Sequence, residues 1–408
     1  MRIGILGSCG SVGRSVLDVI RSNRGGFEPV FLSVYSNAQG LAAQVAEFLP
    51  LAFAVASPDF LDAANPERQK LESALDGIKA RVKGYNPTVV YGPQYYERLF
   101  ESDILDAVVV AVTGIDGFMP SCLALRRGVK LALANKETMV AGGGIIMREA
   151  KKNRADIIPI DSEHSAIRDC ISKESASDIK RIILTASGGP FLNYTAERLK
   201  TVSASDALKH PTWRMGKKIS IDSATMMNKG LEIIEAMHFF GLEADAVDAV
   251  IHKESVIHSL AEFRDNSMTA VLSVPDMRVP ISRALSLLSE TERTKGGDKA
   301  AGRLISGASA LDLIARGVLT FSAPDEKRFP CLKTARAAAR AGGIMPAAMN
   351  AANKLAVEDF LAGRLSFCGI NGNIERVLER VVNYEPETAA DVIESDAYAN
   401  RLYRQING

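Results

Sequence analysis

The chain has 408 residues, of which 47% are hydrophobic and 24% are charged, and its formal net charge is +1. A chain of this length exceeds what one hydrophobic core supports, so we expect two or three domains. The small net charge argues against a nucleic-acid or membrane partner held by electrostatic attraction. No apolar run approaches the ~20 residues of a membrane-spanning helix.

The five cysteines are scattered along the chain and form no C-x-x-C pair. This pattern favours a reducing compartment and argues against structural zinc or a disulfide framework. A predicted strand begins at residue 2, so we expect no signal or transit peptide before it. We therefore expect a cytoplasmic protein, although a mature organelle form without its leader would look the same.

Residues 1–160 alternate short β-branched segments with helical patterns, in a β-α repeat. The predicted strands are residues 2–6, 30–34, 53–56, 106–112, 131–134 and 157–160, and the first two predicted helices are residues 11–22 and 38–48. The segment 106–112 lacks polar alternation, which is typical of a parallel strand buried on both faces. The fold class is therefore α/β, with an N-terminal doubly wound, Rossmann-like parallel sheet that binds ligands at its carboxyl edge.

Residues 161–287 are predicted to form a central α+β catalytic domain. Its predicted strands are residues 181–185, 251–260 and 268–274, and residues 208–218 form a polar loop. Residues 288–312 are rich in charge, Gly and Ser, which indicates a linker. Residues 313–408 then form a C-terminal helical bundle, with predicted helices at 335–341, 347–361, 373–382 and 389–405.

Three glycines, Gly7, Gly10 and Gly13, follow the first predicted strand and open the first predicted helix. This arrangement lets the backbone approach a phosphate and presents unpaired N–H groups at a helix N-terminus. The spacing is G-x-x-G-x-x-G and differs from the usual dinucleotide fingerprint, and an ordinary glycine-rich turn would look similar. The second strand ends at residues 33–37 without an Asp or Glu, which favours NADP over NAD, although no Arg or Lys stands there either.

Two carboxylates, Asp161 and Glu163, stand where the strand 157–160 runs out into a predicted loop, and Glu232 follows Asn228 and Lys229 within about one helical turn. A lone D-x-E is more often an exposed acidic strand end. Here, polar or small residues also close other predicted strands, namely Asn135, Lys136, Glu137 and Ser187. Carboxylates beside hydroxyls and lysines suit a hard divalent cation and a phosphorylated substrate. With the glycine loop, they predict metal-assisted chemistry coupled to hydride transfer.

Trp213 is the only tryptophan of the chain, and it lies with His210 and Met215 in the loop 208–218. A single tryptophan usually packs in a core or at a domain boundary, but in this polar loop it also suits a lid over the substrate. Glu235 shares a helix face with Glu232, and either a role beside the metal or a solvated position fits it equally well. His164 lies inside a helical pattern and is expected to be structural.

Eight segments carry a family resemblance between residue 7 and about residue 361. They are GSCGSVG, LANKET, PIDSEHSAI, LTASGGPF, KHPTWRMGKKISIDSATMMNKGLEIIEA, SVIHS, PDMRVPIS and NAANKLAVEDFL. Together they resemble the 1-deoxy-D-xylulose 5-phosphate reductoisomerases. The resemblance implies a homodimeric NADPH- and metal-dependent enzyme that makes 2-C-methyl-D-erythritol 4-phosphate for non-mevalonate isoprenoid synthesis. It also implies rearrangement by retro-aldol cleavage and re-aldol addition, followed by reduction.

The resemblance also implies roles for individual residues. The ligands of Mg²⁺ or Mn²⁺ are Asp161, Glu163 and Glu232, and Lys136 joins them as a catalytic residue. The substrate contacts are Lys136, Ser162, Glu163, Ser187, His210, Trp213, Ser223, Asn228, Lys229 and Glu232, with Trp213 and Met215 in the lid. The cofactor contacts are Gly7, Cys9, Gly10, Ser11, Val12, Tyr35, Ser36, Asn37, Asn135, Glu137 and Gly216.

Two other function classes compete with this interpretation. A metal-dependent aldolase or isomerase of sugar phosphates would use the carboxylates without a redox step, and it would not bind a nicotinamide cofactor. A nucleotide-binding sensor on the same fold would bind the cofactor without turnover. The glycine loop disfavours the first class, and the intact set of carboxylates, lysines and hydroxyls disfavours the second.

Overall fold

The structure is a computed structural model that describes residues 1–172, 174–213, 215–295 and 302–408. The contacts divide the chain into two compact units. Unit 1 comprises Met1–Asn135, Arg148–Ile160 and Met277–Ala308, and unit 2 comprises Lys136–Met147, Asp161–Asp276 and Ser309–Gly408. This partition differs from the predicted domain boundaries, since both units are assembled from segments that are distant in sequence.

The described residues contain strands and helices that alternate as far as the middle of the chain. The strands are β1 (Arg2–Leu6), β2 (Glu28–Val34), β3 (Ala52–Val55), β4 (Thr88–Tyr91), β5 (Ala107–Val110), β6 (Lys130–Leu133), β7 (Ile157–Pro159), β8 (Ile179–Ala186), β9 (Val247–Ile251), β10 (Ile257–Phe263) and β11 (Met268–Leu272). The helices are α1 (Ser11–Ser22), α2 (Ala38–Phe48), α3 (Pro66–Arg81), α4 (Tyr95–Glu101), α5 (Phe118–Arg126), α6 (Lys136–Asn153), α7 (Ser162–Ile171), α8 (Ala196–Leu199), α9 (Ala204–Ala207), α10 (Lys217–Ala224), α11 (Met227–Phe240), α12 (Arg278–Lys295), α13 (Leu313–Arg316), α14 (Cys331–Ala341), α15 (Met345–Leu361), α16 (Gly369–Leu378) and α17 (Ala389–Asn407).

Unit 1 is built on a sheet whose described strands run in the order β4-β3-β2-β1-β5-β6-β7, all parallel. The strand order reverses between β1 and β5, the position at which doubly wound sheets bind their ligands. The apolar face of α1, with Val16 and Ile20, is buried in the same core as Ile3 and Ile5 of β1. The predicted Rossmann-like α/β class is confirmed for this unit.

Helix α12 corrects the predicted linker at residues 288–312. The helix continues to Lys295, and Ile281, Leu285 and Leu288 of α12 are buried in the core of unit 1. The helix packs against α1, β6 and β7. The charged residues after Leu288 suggested a linker, but the apolar residues before it anchor a helix that continues to Lys295. Residues 296–301 of the predicted linker lie outside the described residues.

Unit 2 contains a mixed sheet in the order β11-β10-β8-β9, in which β8 and β9 are parallel and β10 is antiparallel to its neighbours. The predicted single strand at 251–260 is wrong, because β9 ends at Ile251 and β10 begins at Ile257. Between them, Ser255 has a left-handed backbone with φ of 50°. The His252 Nε2 accepts the N–H groups of Val256 and Ile257 at 3.2 and 3.1 Å, which stabilises the turn.

The C-terminal helices of unit 2 confirm the predicted helical region, with boundaries that extend beyond the prediction at several ends. Helix α15 packs against α10, α14, α16 and α17, and α11 packs against α14. Gly230 of α11 allows close approach, since a Cβ at this position would overlap the Ala335 side chain of α14. Among the described residues, no helix has the length and apolar character to span a membrane.

Candidate active site

Three carboxylates of unit 2 converge from two helices. Asp161 is the N-cap residue of α7, Glu163 lies in the first turn of α7, and Glu232 lies in α11. One side-chain oxygen of each lies within 4.8 Å of the others. The predicted loop at these residues is wrong, because α7 begins at Ser162 and its first turn brings both carboxylates to one place. The Ser162 hydroxyl donates to the Glu163 carboxylate.

Two buried lysines contact these carboxylates. The Lys136 Nζ lies 2.8 Å from Asp161 Oδ2 and 3.0 Å from Glu232 Oε1. The Lys229 Nζ lies 2.8 Å from Glu163 Oε1 and also contacts Glu232 Oε2. Two ammonium groups thus compensate three carboxylates that would otherwise repel one another in a buried place.

The pKa values in this cluster differ because the carboxylates face different partners. Burial raises the pKa of Glu163 to about 7, and the charge of Glu232 adds to this shift. Burial also acts on Asp161, but the charge and hydrogen bond of Lys136, with smaller contributions from His164 and Lys229, together hold the pKa of Asp161 well below its usual value. Burial alone would lower the pKa of Lys136, but the charges of Asp161 and Glu232 hold it well above its usual value.

This donor set fits a hard divalent cation. All three side chains offer oxygen, which Mg²⁺ and Mn²⁺ prefer. A divalent ion would also favour the ionised form of Glu163, whose carboxylate is otherwise costly beside Glu232. The oxygen donors and their spacing are therefore compatible with a divalent cation at this cluster.

His164 and Glu235 lie directly behind the cluster, a position that the helical pattern left open for Glu235 and did not predict for His164. The His164 Nε2 lies 2.9 Å from the Glu232 carbonyl oxygen, and its Nδ1 lies 3.6 Å from Glu235 Oε2. Both the Nδ1 and the Oε2 atoms are buried without a hydrogen-bond partner. Burial, reinforced by the charge of Asp161, raises the pKa of Glu235 well above its usual value. The spacing of three residues between Asp161 and His164 is the signal in the sequence that could have located His164.

A second cluster unites three of the predicted substrate contacts. The His210 Nε2 lies 3.1 Å from the Ser187 Oγ and 3.0 Å from the Ser223 Oγ. Two further predicted substrate contacts, Asn228 and Lys229, contact the carboxylate cluster instead. The Asn228 Oδ1 accepts from the Lys136 Nζ at 2.8 Å, and the Asn228 amide group donates to Glu232.

The backbone of the predicted lid fixes the tautomer of His210. Its Nδ1 accepts the N–H groups of Thr212 and Trp213 at 3.1 and 2.9 Å, so the ring proton resides on Nε2. Burial lowers the pKa of His210, which favours this neutral form. Trp213 and Met215 are half-buried, Gly216 is exposed at the N-terminus of α10, and residue 214 of the predicted lid lies outside the described residues.

The glycine loop of unit 1 occupies the turn between β1 and α1. Gly7 has a φ of +84°, and a Cβ there would lie 2.6 Å from the Ala111 carbonyl oxygen. A Cβ at Gly13 would lie 2.6 Å from the Ser8 Cα, so this turn requires glycine at both positions. Gly10 is the N-cap residue of α1 and has no side chain to cover the helix terminus. No side chain therefore caps the first N–H groups of α1, those of Ser11 and Val12, and uncapped N–H groups at a helix N-terminus favour a phosphate.

The other predicted cofactor contacts lie at strand and helix ends. Tyr35, Ser36 and Asn37 follow β2, Tyr35 is 66% exposed, and the Asn37 side chain caps α2 through the N–H of Gly40. The Asn135 side chain donates to the carbonyl oxygens of residues 112 and 114, both at 2.9 Å. Cys9 is half-buried, and burial raises its pKa. Glu137 is buried in unit 2 and pairs with Lys218 at 3.1 Å.

The family comparisons agree with this arrangement along the whole chain. The family model described as 1-deoxy-D-xylulose 5-phosphate reductoisomerase matches residues 3–143, and models of its C-terminal domains match residues 157–240 and 272–402. A reductoisomerase from Synechococcus sp. is 42% identical over 99% of this chain and 97% of its own length. A relative from Burkholderia multivorans is also 42% identical, over 99% of this chain and 96% of its own length.

Solved structures of the same family have the same fold. The reductoisomerase from Zymomonas mobilis in complex with NADPH has a TM-score of 0.86 at 32% identity, over 99% of this chain and 98% of its own. A reductoisomerase in complex with NADPH, fosmidomycin and magnesium has a TM-score of 0.87 at 34% identity, over the same shares of the two chains. From the motifs, the fold and these matches, we conclude that the chain belongs to the 1-deoxy-D-xylulose 5-phosphate reductoisomerase family.

Proposed function

We propose that this chain converts 1-deoxy-D-xylulose 5-phosphate to 2-C-methyl-D-erythritol 4-phosphate, with NADPH as reductant and a divalent metal ion. The observation that carries the proposal is the cluster of Asp161, Glu163 and Glu232 within 4.8 Å, in a chain that is 42% identical to curated reductoisomerases. It is an oxidoreductase of the isoprenoid precursor pathway.

Asp161, Glu163 and Glu232 would hold Mg²⁺ or Mn²⁺. The bound ion supplies Lewis-acid polarisation of the substrate ketone. Lys136 stays protonated because its pKa is raised, and its ammonium lies beside Asp161 and Glu232. There it would stabilise a substrate oxygen that becomes negative during the reaction. Ser162 lies beside Glu163 and can orient a substrate hydroxyl.

The cluster of Ser187, His210 and Ser223 is proposed to bind the substrate phosphate. Both hydroxyls lie within 3.1 Å of the His210 Nε2, so the Nε2–H and the two hydroxyls could donate to the same anion. Asn228 and Lys229 would join them by leaving the carboxylates when a metal ion replaces the lysine charges. Since His210 also holds the N–H of Trp213, phosphate binding would be linked to the conformation of the lid.

The glycine loop is proposed to bind the NADPH pyrophosphate. Gly7, Gly10 and Gly13 let the backbone approach closely, and the N-terminus of α1 favours negative charge. Tyr35, Ser36 and Asn37 would face the adenosine half, as residues after the second strand do in this fold. The contacts of Cys9, Asn135, Glu137 and Gly216 with the cofactor stay predictions.

We also propose a cytoplasmic homodimer. The five cysteines are free, as expected in a reducing compartment. Light scattering on the purified protein tests the oligomeric state, and a monomer mass at micromolar concentration would remove the dimer from the proposal.

The test of the reaction is the absorbance of reduced nicotinamide with purified protein, Mn²⁺ and 1-deoxy-D-xylulose 5-phosphate. We expect oxidation of NADPH that stops when a chelator is added, and much slower oxidation of NADH. Substrate consumption without nicotinamide oxidation would instead favour a non-redox isomerase. NADPH binding without turnover would favour a sensor.

A further inference from the structure

A second buried ionic cluster in unit 2 lies outside the proposed metal and phosphate sites, and it includes Glu137, a predicted cofactor contact. The Lys218 Nζ lies 2.9 Å from Asp222 Oδ2 and 3.1 Å from Glu137 Oε1. The other carboxylate oxygen of Asp222 accepts from the Asn353 Nδ2 at 2.8 Å. Asp222 is 1% exposed and Glu137 is 8% exposed, so both carboxylates depend on polar partners rather than on water.

This cluster shares a helix turn with the carboxylate site. Glu137 follows Lys136 directly in the first turn of α6, and the Lys136 ammonium forms ion pairs with Asp161 and Glu232. Burial opposes ionisation of Glu137, but the charge of Lys218, hydrogen bonds to the carboxylate and a smaller contribution from Lys136 together lower the pKa of Glu137. The Glu137 carboxylate is thus ionised and within reach of the field of Lys136.

A buried carboxylate that loses its cation recruits another one, because the unpaired charge is costly. If the Lys218 charge were absent, the Glu137 carboxylate would attract the ammonium of its neighbour Lys136. That ammonium would then be drawn away from Asp161 and Glu232.

We infer that Lys218 is a positioning residue for the reaction: its ammonium holds the Glu137 carboxylate and thereby keeps Lys136 at Asp161 and Glu232. The inference rests on the proposed function, since it explains how one group of that site is held in place. Lys218 is the last residue of the predicted lid loop 208–218 and lies in the first turn of α10, so the same contact also fixes the base of the lid to α6.

Loss of the Lys218 charge should change the Mn²⁺ affinity in the opposite direction to turnover. The Lys136 ammonium and a divalent cation compete for the same carboxylate oxygens of Asp161 and Glu232. Displacement of Lys136 would therefore strengthen Mn²⁺ binding while it lowers turnover. General damage to the fold would weaken both.

The experiment is a double-mutant cycle with Lys218→Met, Glu137→Gln and the combination of the two. We expect Lys218→Met to lower kcat at least tenfold and to raise Mn²⁺ affinity, measured by electron paramagnetic resonance without substrate, about threefold or more. In the Glu137→Gln background the same substitution should change kcat less than threefold and leave Mn²⁺ affinity unchanged, because the carboxylate next to Lys136 in the first turn of α6 is then absent. The cycle cancels any effect of Glu137→Gln itself.

Lys180→Met is the matched control, since Lys180 pairs with the buried carboxylate of Glu262 at 2.7 Å on the mixed sheet. It should leave kcat and Mn²⁺ affinity unchanged. If Lys218→Met does not fold, Lys218→Gln removes the charge and keeps hydrogen-bonding capacity, and the same outcomes apply. Equal losses in both backgrounds, or weaker Mn²⁺ binding in Lys218→Met, would overturn the inference. Failure of the wild-type protein to oxidise NADPH would count against the proposed function instead, while the Mn²⁺ readout would still decide the role of Lys218.

Discussion

Glu232 connects the charged groups of the candidate site, since its carboxylate accepts from Lys136, Asn228 and Lys229. Glu232→Gln keeps the shape of the side chain but removes the negative charge that a divalent cation needs. We expect turnover at saturating Mg²⁺ to fall by ~10²-fold, which corresponds to about 3 kcal/mol of lost transition-state stabilisation. NADPH affinity, followed by cofactor fluorescence, should change less than about twofold. Unchanged turnover would remove Glu232 from the metal ligands.

His258 contributes to stability through its neutral form. Its Nε2 lies 2.8 Å from the Ser273 Oγ, and burial lowers its pKa from 6.5 to about 4. Below pH 6.5 His258 binds a proton in the unfolded chain but stays neutral in the folded chain. The stabilisation of the folded state that is present above pH 6.5 is therefore lost as the pH falls towards 4. Linkage puts this loss at about 3 kcal/mol between pH 7.5 and pH 4.

The measurement for His258 is urea unfolding at both pH values, with His258→Gln as the comparison. The variant should lose about 3 kcal/mol less between the two pH values than the wild-type chain does. Other titrating groups cancel in this difference. An equal pH dependence in the two proteins would show that His258 titrates alike in the folded and unfolded chains.

At the scale of single residues, the sequence supplied the types of group but not their partners. Asp161, Glu163 and Glu232 could be selected because carboxylates at strand and helix ends near lysines favour cations. Nothing in the spacing indicates that Lys229 pairs with Glu163 at 2.8 Å instead of joining the hydroxyl cluster. His164 was expected to be structural because it lies inside a helical pattern, and its spacing of three residues from Asp161 was the one signal of another role.

Among the elements, the turn between β1 and α1 makes the strictest demand on sequence. Gly13→Ala would place a Cβ 2.6 Å from the Ser8 Cα, so the strand and the helix must separate. We expect a loss of about 2 kcal/mol in the free energy of unfolding and a weaker affinity for NADPH. Both can be followed by urea unfolding and by cofactor fluorescence.

Gly77→Ala is the control for Gly13→Ala, because Gly77 lies inside α3 and a Cβ there meets nothing within 4 Å. That substitution should stabilise the protein by up to ~1 kcal/mol and leave NADPH affinity unchanged. If both variants bind NADPH as the wild-type chain does, the close approach of Gly13 to Ser8 is needed for packing of α1 and not for cofactor binding.

The same scale shows which elements local patterns reveal. Helix α1 was predictable over Ser11–Ser22 because its apolar residues recur with helical spacing after a glycine N-cap. The break between β9 and β10 was not, since residues 251–260 are nearly all compatible with a strand. The bonds from Val256 and Ile257 to His252, which end the strand, depend on a folded turn.

For the whole molecule, discontinuity limits what the sequence can predict. Unit 1 includes Met277–Ala308, which follows the mixed sheet of unit 2 in the sequence. Unit 2 begins at Lys136, the first residue of α6. Gly142 has a non-helical backbone inside α6. The sequence around Gly142 resembles that of any glycine-rich helix segment, so it does not indicate this break. Local propensity specifies elements, whereas contacts between distant segments decide which unit each element joins.

The two proposed ligand sites predict two separable effects on global stability. A ligand that binds only the folded chain at 100 times its Kd stabilises it by about 2.7 kcal/mol. We therefore expect Mn²⁺ and NADPH each to raise the midpoint of thermal unfolding of the wild-type chain. In Glu232→Gln the effect of Mn²⁺ should nearly vanish, because one of the three ligating carboxylates is lost, while the effect of NADPH should persist. If Mn²⁺ stabilises the variant as strongly as the wild-type chain, the ion binds elsewhere than at Asp161, Glu163 and Glu232.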